Sequence, residues 1–273
     1  MPTITENSAH IVVQDLTMAY GDFVLQRDLN FSVGRGEIFI IMGGSGCGKS
    51  TLLKHLIGLK KPASGRMCFN GVDYWQAEEG EREKITRTFG VLYQGGALWS
   101  SLTLAENIAL PLEEYTDLPA AEIREIAALK LALVGLKGFE DYYPAQISGG
   151  MMKRAGLARA MALDPEILFF DEPSAGLDPI SSRLLDDLIL QIRDSLGTTI
   201  VVVSHELASI FAIADNSVFL DAAARTMIAA GNPRVLRRET ENPVVRSFLT
   251  RGGSPGEDNL FPTQGACGGK GAV

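Results

Sequence analysis

Glu37–Met42, read EIFIIM, runs directly into Gly43–Thr51, read GGSGCGKST. The first stretch has no polar face, the pattern of a strand buried on both sides. The second fits GxxxxGK[ST], and Ser50–Gly58 behind it reads as a helix. Strand, glycine loop and helix are the context that a phosphate-binding loop requires. A phosphate chain is held by closely spaced backbone N–H donors, and glycines let the backbone curl tightly enough to present them. Lys49 adds a point charge for the β- and γ-phosphates. The Ser50 hydroxyl reaches Mg²⁺, and the helix behind it aims its positive end at the anion. Gly43, Gly44, Ser45, Gly46, Cys47, Gly48, Lys49, Ser50 and Thr51 are therefore candidate binding residues for a nucleotide, with ATP and Mg²⁺ as the implied pair.

Outward from this loop, further strands are legible. His10–Tyr20 alternates and is followed by a Gly21–Asp22 turn, and Leu29–Val33 ends at Gly34–Gly36. Asn70–Gly71 marks a hairpin turn, and Arg87–Tyr93 is another strand candidate. From about Gly95 to Met161 the pattern is helical. Ile123, Ile126, Leu129, Leu133 and Leu136 fall three or four apart, which predicts an amphipathic stripe. Thr103 with Glu106 predicts a capping box. Ile167–Phe170 and Thr199–Val203 are continuous apolar runs flanking a helix from about Ile180 to Leu196, a parallel βαβ unit. Val218–Leu220 and Thr226–Ala229 read as late edge strands, and Val244–Leu249 as a short helix. The composition turns Gly-rich at Arg251, which predicts a flexible tail over 251–273. The fold class is α/β, with a helical lobe interrupting the core.

Other residues fit chemistry on the same ligand. Ile167–Glu172 is an apolar strand ending in two carboxylates. Asp171 at its tip suits a Mg²⁺-bound water, and Glu172 suits a base that orients an attacking water. Ser148, Gly149 and Gly150 open the helix Met152–Met161, with Ser148 as N-cap and two glycines leaving bare N–H groups outward. This is a second anion-binding helix end, about a hundred residues from the first. His205 follows the strand Thr199–Val203, where it can reach a γ-phosphate. Gln94 follows the strand that ends at Tyr93. Tyr20 can stack on adenine or pack in the core. Each of these last three is weak when taken singly.

The 273 residues carry 25 Lys and Arg against 33 Asp and Glu, a net charge of −8, which argues against a nucleic-acid partner. Three scattered cysteines in no metal-ligand spacing fit reduced thiols rather than a zinc site or a disulfide framework. No basic n-region with an apolar h-region opens the chain, and no apolar run approaches the ~20 residues that span a bilayer.

These pieces, in this order, resemble the nucleotide-binding domain of ABC ATPases over roughly His10 to Leu249. The resemblance implies a P-loop NTPase (RecA-like) core with an antiparallel β-subdomain and an inserted helical subdomain. It implies a domain over 1–250, with the insertion at about 95–162. Tyr20 matches the aromatic that stacks on adenine, Gly43–Thr51 the Walker A loop, and Gln94 the Q-loop glutamine, a Mg²⁺ ligand with Ser50 and Asp171. Asp171–Glu172 matches the end of Walker B, Ser174–Asp178 the D-loop with Asp178 at the nucleotide, and His205 the switch histidine. Ser148–Met151 sits where the family signature begins, with Ile147 for its Leu and Met151 for its Gln.

The ISGGM form, and the stretch from Gln94 to Glu114, resemble the ATPases of Mla/Mce-type phospholipid transport systems. That likeness implies a head-to-tail homodimer in which the loop of one copy and Ser148–Gly150 of the other enclose each ATP. It also implies an MlaE-like integral membrane permease, an MlaD-like MCE-domain protein and an MlaB-like STAS protein as partners. The expected place is the cytoplasmic face of a bacterial inner membrane. An importer or exporter ATPase for another substrate, and a non-transport ABC ATPase, remain as alternatives. A P-loop kinase or GTPase would leave Ser148–Gly150 and His205 without a role.

Overall fold

The computed structural model describes residues 9–251. The Gly-rich stretch expected to form a tail lies, beyond Arg251, outside the described residues. In chain order, β1 (Ala9–Tyr20) and β2 (Phe23–Gly34) form a hairpin across Gly21–Asp22. β3 (Ile38–Gly43) leads into α1 (Lys49–Leu56). β4 (Ser64–Phe69) turns back into β5 (Val72–Asp73) through Asn70 and Gly71, both at positive φ as a tight hairpin requires. α2 (Glu79–Arg87) precedes β6 (Phe89–Leu92). The helical lobe is α3 (Leu104–Tyr115), α4 (Ala120–Leu133) and α5 (Gly149–Ala160). After it come β7 (Ile167–Asp171), α6 (Pro179–Leu196), β8 (Thr199–Val203) and α7 (Leu207–Ile213). β9 (Asn216–Asp221), β10 (Thr226–Ala230), α8 (Pro233–Glu239) and α9 (Pro243–Leu249) close the described chain.

The central sheet has the order β10-β9-β3-β8-β7-β6 and is parallel except for β10. Its inner strands β3, β7, β8 and β9 are buried on both faces along nearly their whole length, and their alternation separates two cores. Ile38, Ile40, Met42, Leu168, Phe170, Ile200 and Val202 enter the core shared with the helical lobe and α6. Phe39, Ile41, Ile167, Phe169, Val201 and Val203 enter the other, with α1 and the antiparallel sheet β2-β1-β4-β5. The continuous apolar runs follow from this: neither face meets water, so neither can be polar.

Three expectations need correction. Arg87 ends α2 rather than opening β6. β9 is interior, paired to β3 on one side and β10 on the other. On α4 the buried residues are Ile123, Ala127 and Leu131, spaced by four, with Lys130 beside them, while Leu129 and Leu133 of the expected stripe are more than half exposed. The Thr103–Glu106 capping box is present in both directions, 2.7 and 3.2 Å. Among the described residues no helix is long and apolar enough to cross a membrane.

Candidate active site

Parallel strands deliver their C-terminal ends to one edge of the sheet, where α/β folds bind ligands. The 43–51 loop leaves β3 there, Gln94 follows β6, Glu172 follows β7 and His205 follows β8. All four strand ends contribute to one open cleft of about 680 Å³. It is lined by Gly43, Gly44, Ser45, Gly46, Gly48, Lys49, Ser50, Thr51, Gln94, Glu172 and His205. Leu25 and Phe248, which the sequence did not single out, complete its walls.

The loop has the shape of an anion cradle. Gly43 and Gly48 adopt φ of 148° and 98°. A Cβ on Gly43 would lie 2.3 Å from the Leu220 carbonyl oxygen, and one on Gly48 would lie 2.9 Å from Leu25 Cδ2. Gly44 and Gly46 face open space, so the backbone there is free to approach a ligand. Cys47 is different: it is wholly buried and, alone among residues 43–51, does not line the cleft. Lys49 Nζ donates to the carbonyls of Gly43 and Gly44, each at 3.0 Å, which holds the ammonium over the loop.

Ser50 Oγ donates to Asp171 Oδ1 at 2.9 Å. These are two hard oxygen donors from different elements, the type of site that Mg²⁺ shares with phosphate oxygens and water.

Glu172 sits in left-handed backbone, φ 51°. That costs a non-glycine residue about 1–2 kcal/mol and is held by the surrounding structure. Its N–H donates to the Val203 carbonyl at 2.9 Å. His205 Nδ1 lies 2.8 Å from Glu172 Oε1 and, with a carboxylate as acceptor, carries the proton. The other carboxyl oxygen, Oε2, is buried with no hydrogen-bond partner. An unsatisfied buried carboxylate oxygen costs about 1–3 kcal/mol or more, so its retention beside the cradle favours a water or ligand role.

Tyr20 lies beside this cleft rather than in its lining. It is 53% exposed, its hydroxyl 3.3 Å from Thr51 Oγ1. Lys60 Nζ is 3.0 Å from the centre of its ring and also donates to the Ala19 carbonyl. The Thr51 hydrogen bond first, and the Lys60 charge second, hold the phenol below its usual pKa.

Ser148, Gly149, Gly150 and Asp178 are not part of the cleft lining. Ser148 caps α5 by accepting from the Met151 N–H at 3.3 Å. Gly149 faces open space, and a Cβ on Gly150 would lie against Ser181 and Leu177. Asp178 caps α6, accepting from the N–H groups of Ile180 and Ser181 at 3.0 Å. The Ser181 hydroxyl foremost, then these backbone N–H groups, hold its carboxyl below the usual range. The structure thus divides the candidate residues into one group around the cleft and a second on α5 and the head of α6.

One buried cation joins the two groups and escaped the sequence reading. Lys153 on α5 is 7% exposed. Its Nζ donates to the Ala175 carbonyl at 2.5 Å and the Glu172 carbonyl at 3.4 Å. Burial lowers its pKa, opposed by the Glu172 charge.

Residues 26–175 match the family model described as ABC transporter. The chain is 42% identical over 239 residues to a Mycobacterium tuberculosis (H37Rv) protein named as a probable ribonucleotide transport ATP-binding protein, mkl. That alignment covers 88% of this chain and 66% of the relative, just under two thirds of its length. It is 40% identical over 259 residues to the Haemophilus influenzae intermembrane phospholipid transport system ATP-binding protein MlaF, covering 94% of this chain and 97% of that one. Among solved structures, the dimeric bacterial ABC transporter cassette MJ0796 superposes with a TM-score of 0.73 at 28% identity, over 81% of this chain and 97% of that one. A second structure of that cassette holds ADP and Pi.

Proposed function

This chain belongs to the ABC transporter family, and on that premise we propose that it is the subunit that binds and hydrolyses MgATP to drive phospholipid movement between bacterial membranes. The observation that carries the ATPase reading is the delivery of the 43–51 loop, Gln94, Glu172 and His205 by four strand ends to one cleft. The lipid reading is supported by the likeness to MlaF over nearly the whole of both chains.

In this reading residues 1–250 are the ABC ATPase domain, with the helical subdomain at about 95–162. The N–H groups of the 43–51 loop and the Lys49 ammonium bind the phosphate chain, and the Tyr20 ring stacks on adenine. Ser50 and Asp171, with Gln94, hold Mg²⁺, which when bound neutralises charge on the β- and γ-phosphates. Glu172 Oε2 accepts a hydrogen bond from the attacking water and orients it towards the γ-phosphorus. His205 fixes that carboxylate through its Nδ1–H. A bond from His205 Nε2 to the γ-phosphate requires the doubly protonated ring, because Nδ1 already donates to Glu172.

Ser148–Gly150 act in trans, as the second wall of the nucleotide site of another copy in a head-to-tail homodimer. Their separation from the cleft supports this, as does the dimeric form of the related cassette. The membrane-spanning work falls to an MlaE-like permease, with an MlaD-like MCE-domain protein and an MlaB-like STAS protein, at the cytoplasmic face of the inner membrane.

The likeness to the mycobacterial protein favours a second reading, a transport ATPase for ribonucleotides. Mass spectrometry of the proteins and lipids that co-purify with the tagged chain from detergent-solubilised membranes separates the two. A multi-span permease with an MCE-domain protein and bound phospholipid is the expected result. A permease with a soluble solute-binding protein and no lipid would overturn the substrate class, and soluble partners alone would overturn the transporter reading.

A further inference from the structure

Two lysines are buried among the described residues, and they are used differently. Lys130 pairs with the Asp164 carboxylate at 2.5 Å. Lys153 makes no ion pair; its ammonium is spent on two backbone carbonyls of one turn, Glu172 and Ala175. Burying an ammonium is costly unless its donors are used, and a carbonyl pair could be satisfied more cheaply by a neutral amide. The turn it holds is the one that carries Glu172 in left-handed backbone. Within that turn the Ala175 N–H donates to the Glu172 carbonyl at 3.2 Å, so Lys153 completes a small hydrogen-bonded knot.

The other end of the connection is α5, whose N-cap is Ser148, five residues before Lys153. The same helix holds the loop after Gln94: Arg159 donates to the Ala97 carbonyl at 2.6 Å. A Cβ on Gly156 would lie 2.8 Å from the Gly96 carbonyl oxygen, so the two backbones are in close approach. α5 is therefore a rigid piece in contact with both the Glu172 turn and the Gln94 loop, headed by the Ser148–Gly150 anion end.

We propose that Lys153 is a positioning residue that couples the two nucleotide sites of the dimer through a single chain. Engagement of Ser148–Gly150 by the partner's ATP moves or locks α5, and Lys153 passes that constraint to the Glu172–Ala175 turn, aiming Glu172 at the chain's own ATP. This rests on the proposed ATPase reading and adds the cis link between a chain's own site and the one it completes in trans. No bond to ATP is assigned to Lys153, so nucleotide affinity of the single chain is left alone while turnover and cooperativity depend on it.

The test compares wild type, Lys153→Met, Lys153→Gln and Glu172→Gln as full chains, with the membrane partners that co-purify. ATP turnover, its Hill coefficient and the Kd for ATP are measured, with melting temperature as the control for folding. Lys153→Met, which keeps the stem and removes the donors, should lower kcat roughly 10- to 100-fold, the scale of a misplaced catalytic group. KM and Kd should stay within about twofold and the Hill coefficient should fall towards one. Lys153→Gln restores a donor and should recover part of kcat; it also carries the test if the Met variant fails to fold. A lowered melting temperature with kcat and Hill coefficient unchanged would make Lys153 a packing residue and overturn the proposal. Wild type and Glu172→Gln separate the two levels: no ATP turnover by wild type with its partners would overturn the underlying ATPase reading, whereas turnover by Glu172→Gln at the wild-type rate would show that Glu172 is not the base and overturn this inference alone.

Discussion

The cleft at the strand ends and the exposed head of α5 are both places where backbone N–H groups can meet an anion, yet they are built differently. The cleft has glycines in left-handed backbone, a lysine held over the loop, a Ser–Asp oxygen pair and a carboxylate with an unpartnered buried oxygen. The head of α5 has one serine cap and two glycines, and its first turn holds no acidic residue. On the proposed reading the first is the chain's own catalytic site, and the second is half a site that another copy completes. At the cleft, left-handed backbone and an unpartnered carboxylate oxygen coincide in one residue, Glu172, whereas the head of α5 is an ordinary capped helix end.

The largest effect that sharpens this contrast is on hydrolysis. Glu172→Gln should lower kcat by about 10²–10⁴-fold, the range for loss of a general base, with ATP affinity kept. A stopped-flow turnover assay beside a binding titration checks both halves of the statement. Next, Lys49→Ala should weaken ATP binding roughly 10- to 100-fold, since charge-assisted hydrogen bonds contribute about 1.5–3 kcal/mol. Isothermal titration reads this directly, and an unchanged Kd would remove the cleft from the account. Tyr20→Ala should weaken binding by only about 1 kcal/mol, a loss of one stacking contact. A nucleotide with a non-aromatic base substitute should be insensitive to it.

The smallest effect concerns the scaffold beneath Asp178. Asp186 on α6 is buried, and burial pushes its carboxyl up to about 6, with Asp187 adding to the rise and a Ser209 hydrogen bond opposing it. The folded pKa lies above the unfolded value of about 3.9, so folding takes up a proton. The stability from this group is fully present below about pH 4 and is lost as pH rises through about 6. Asp186→Asn should therefore raise the melting temperature by roughly 2–5 °C above about pH 7 and by less near pH 4, with ATP affinity unchanged. A shift of equal size at both pH values would mean that ionisation is not its cause.

How much of this was legible in the sequence follows the same division. The strands β3, β7 and β8 were readable because burial on both faces leaves unbroken apolar runs, and the residues at their ends inherit a position from the strand. α2 was not readable: Glu79–Arg87 buries no residue, so no apolar period marks it. The stripe on α4 was misplaced because Ala127 does the packing that larger Leu129 and Leu133 advertise. β9 looked peripheral because sheet order is set by long-range pairing with β3, which no local pattern records. Lys153 was invisible for a related reason. A lysine on a polar-looking helix reads as solvent-facing, and only the return of the chain at Glu172–Ala175 buries it.

On the proposed reading, Ser148–Gly150 complete the nucleotide site of another copy. Light scattering on the Glu172→Gln chain, with and without ATP, and on the same chain carrying Ser148→Arg, tests it most directly. The expected result is a monomer without ATP, a dimer with it, and a monomer under both conditions once Ser148→Arg is added, while that double variant still binds ATP. An ATP-dependent dimer that Ser148→Arg leaves intact would contradict it.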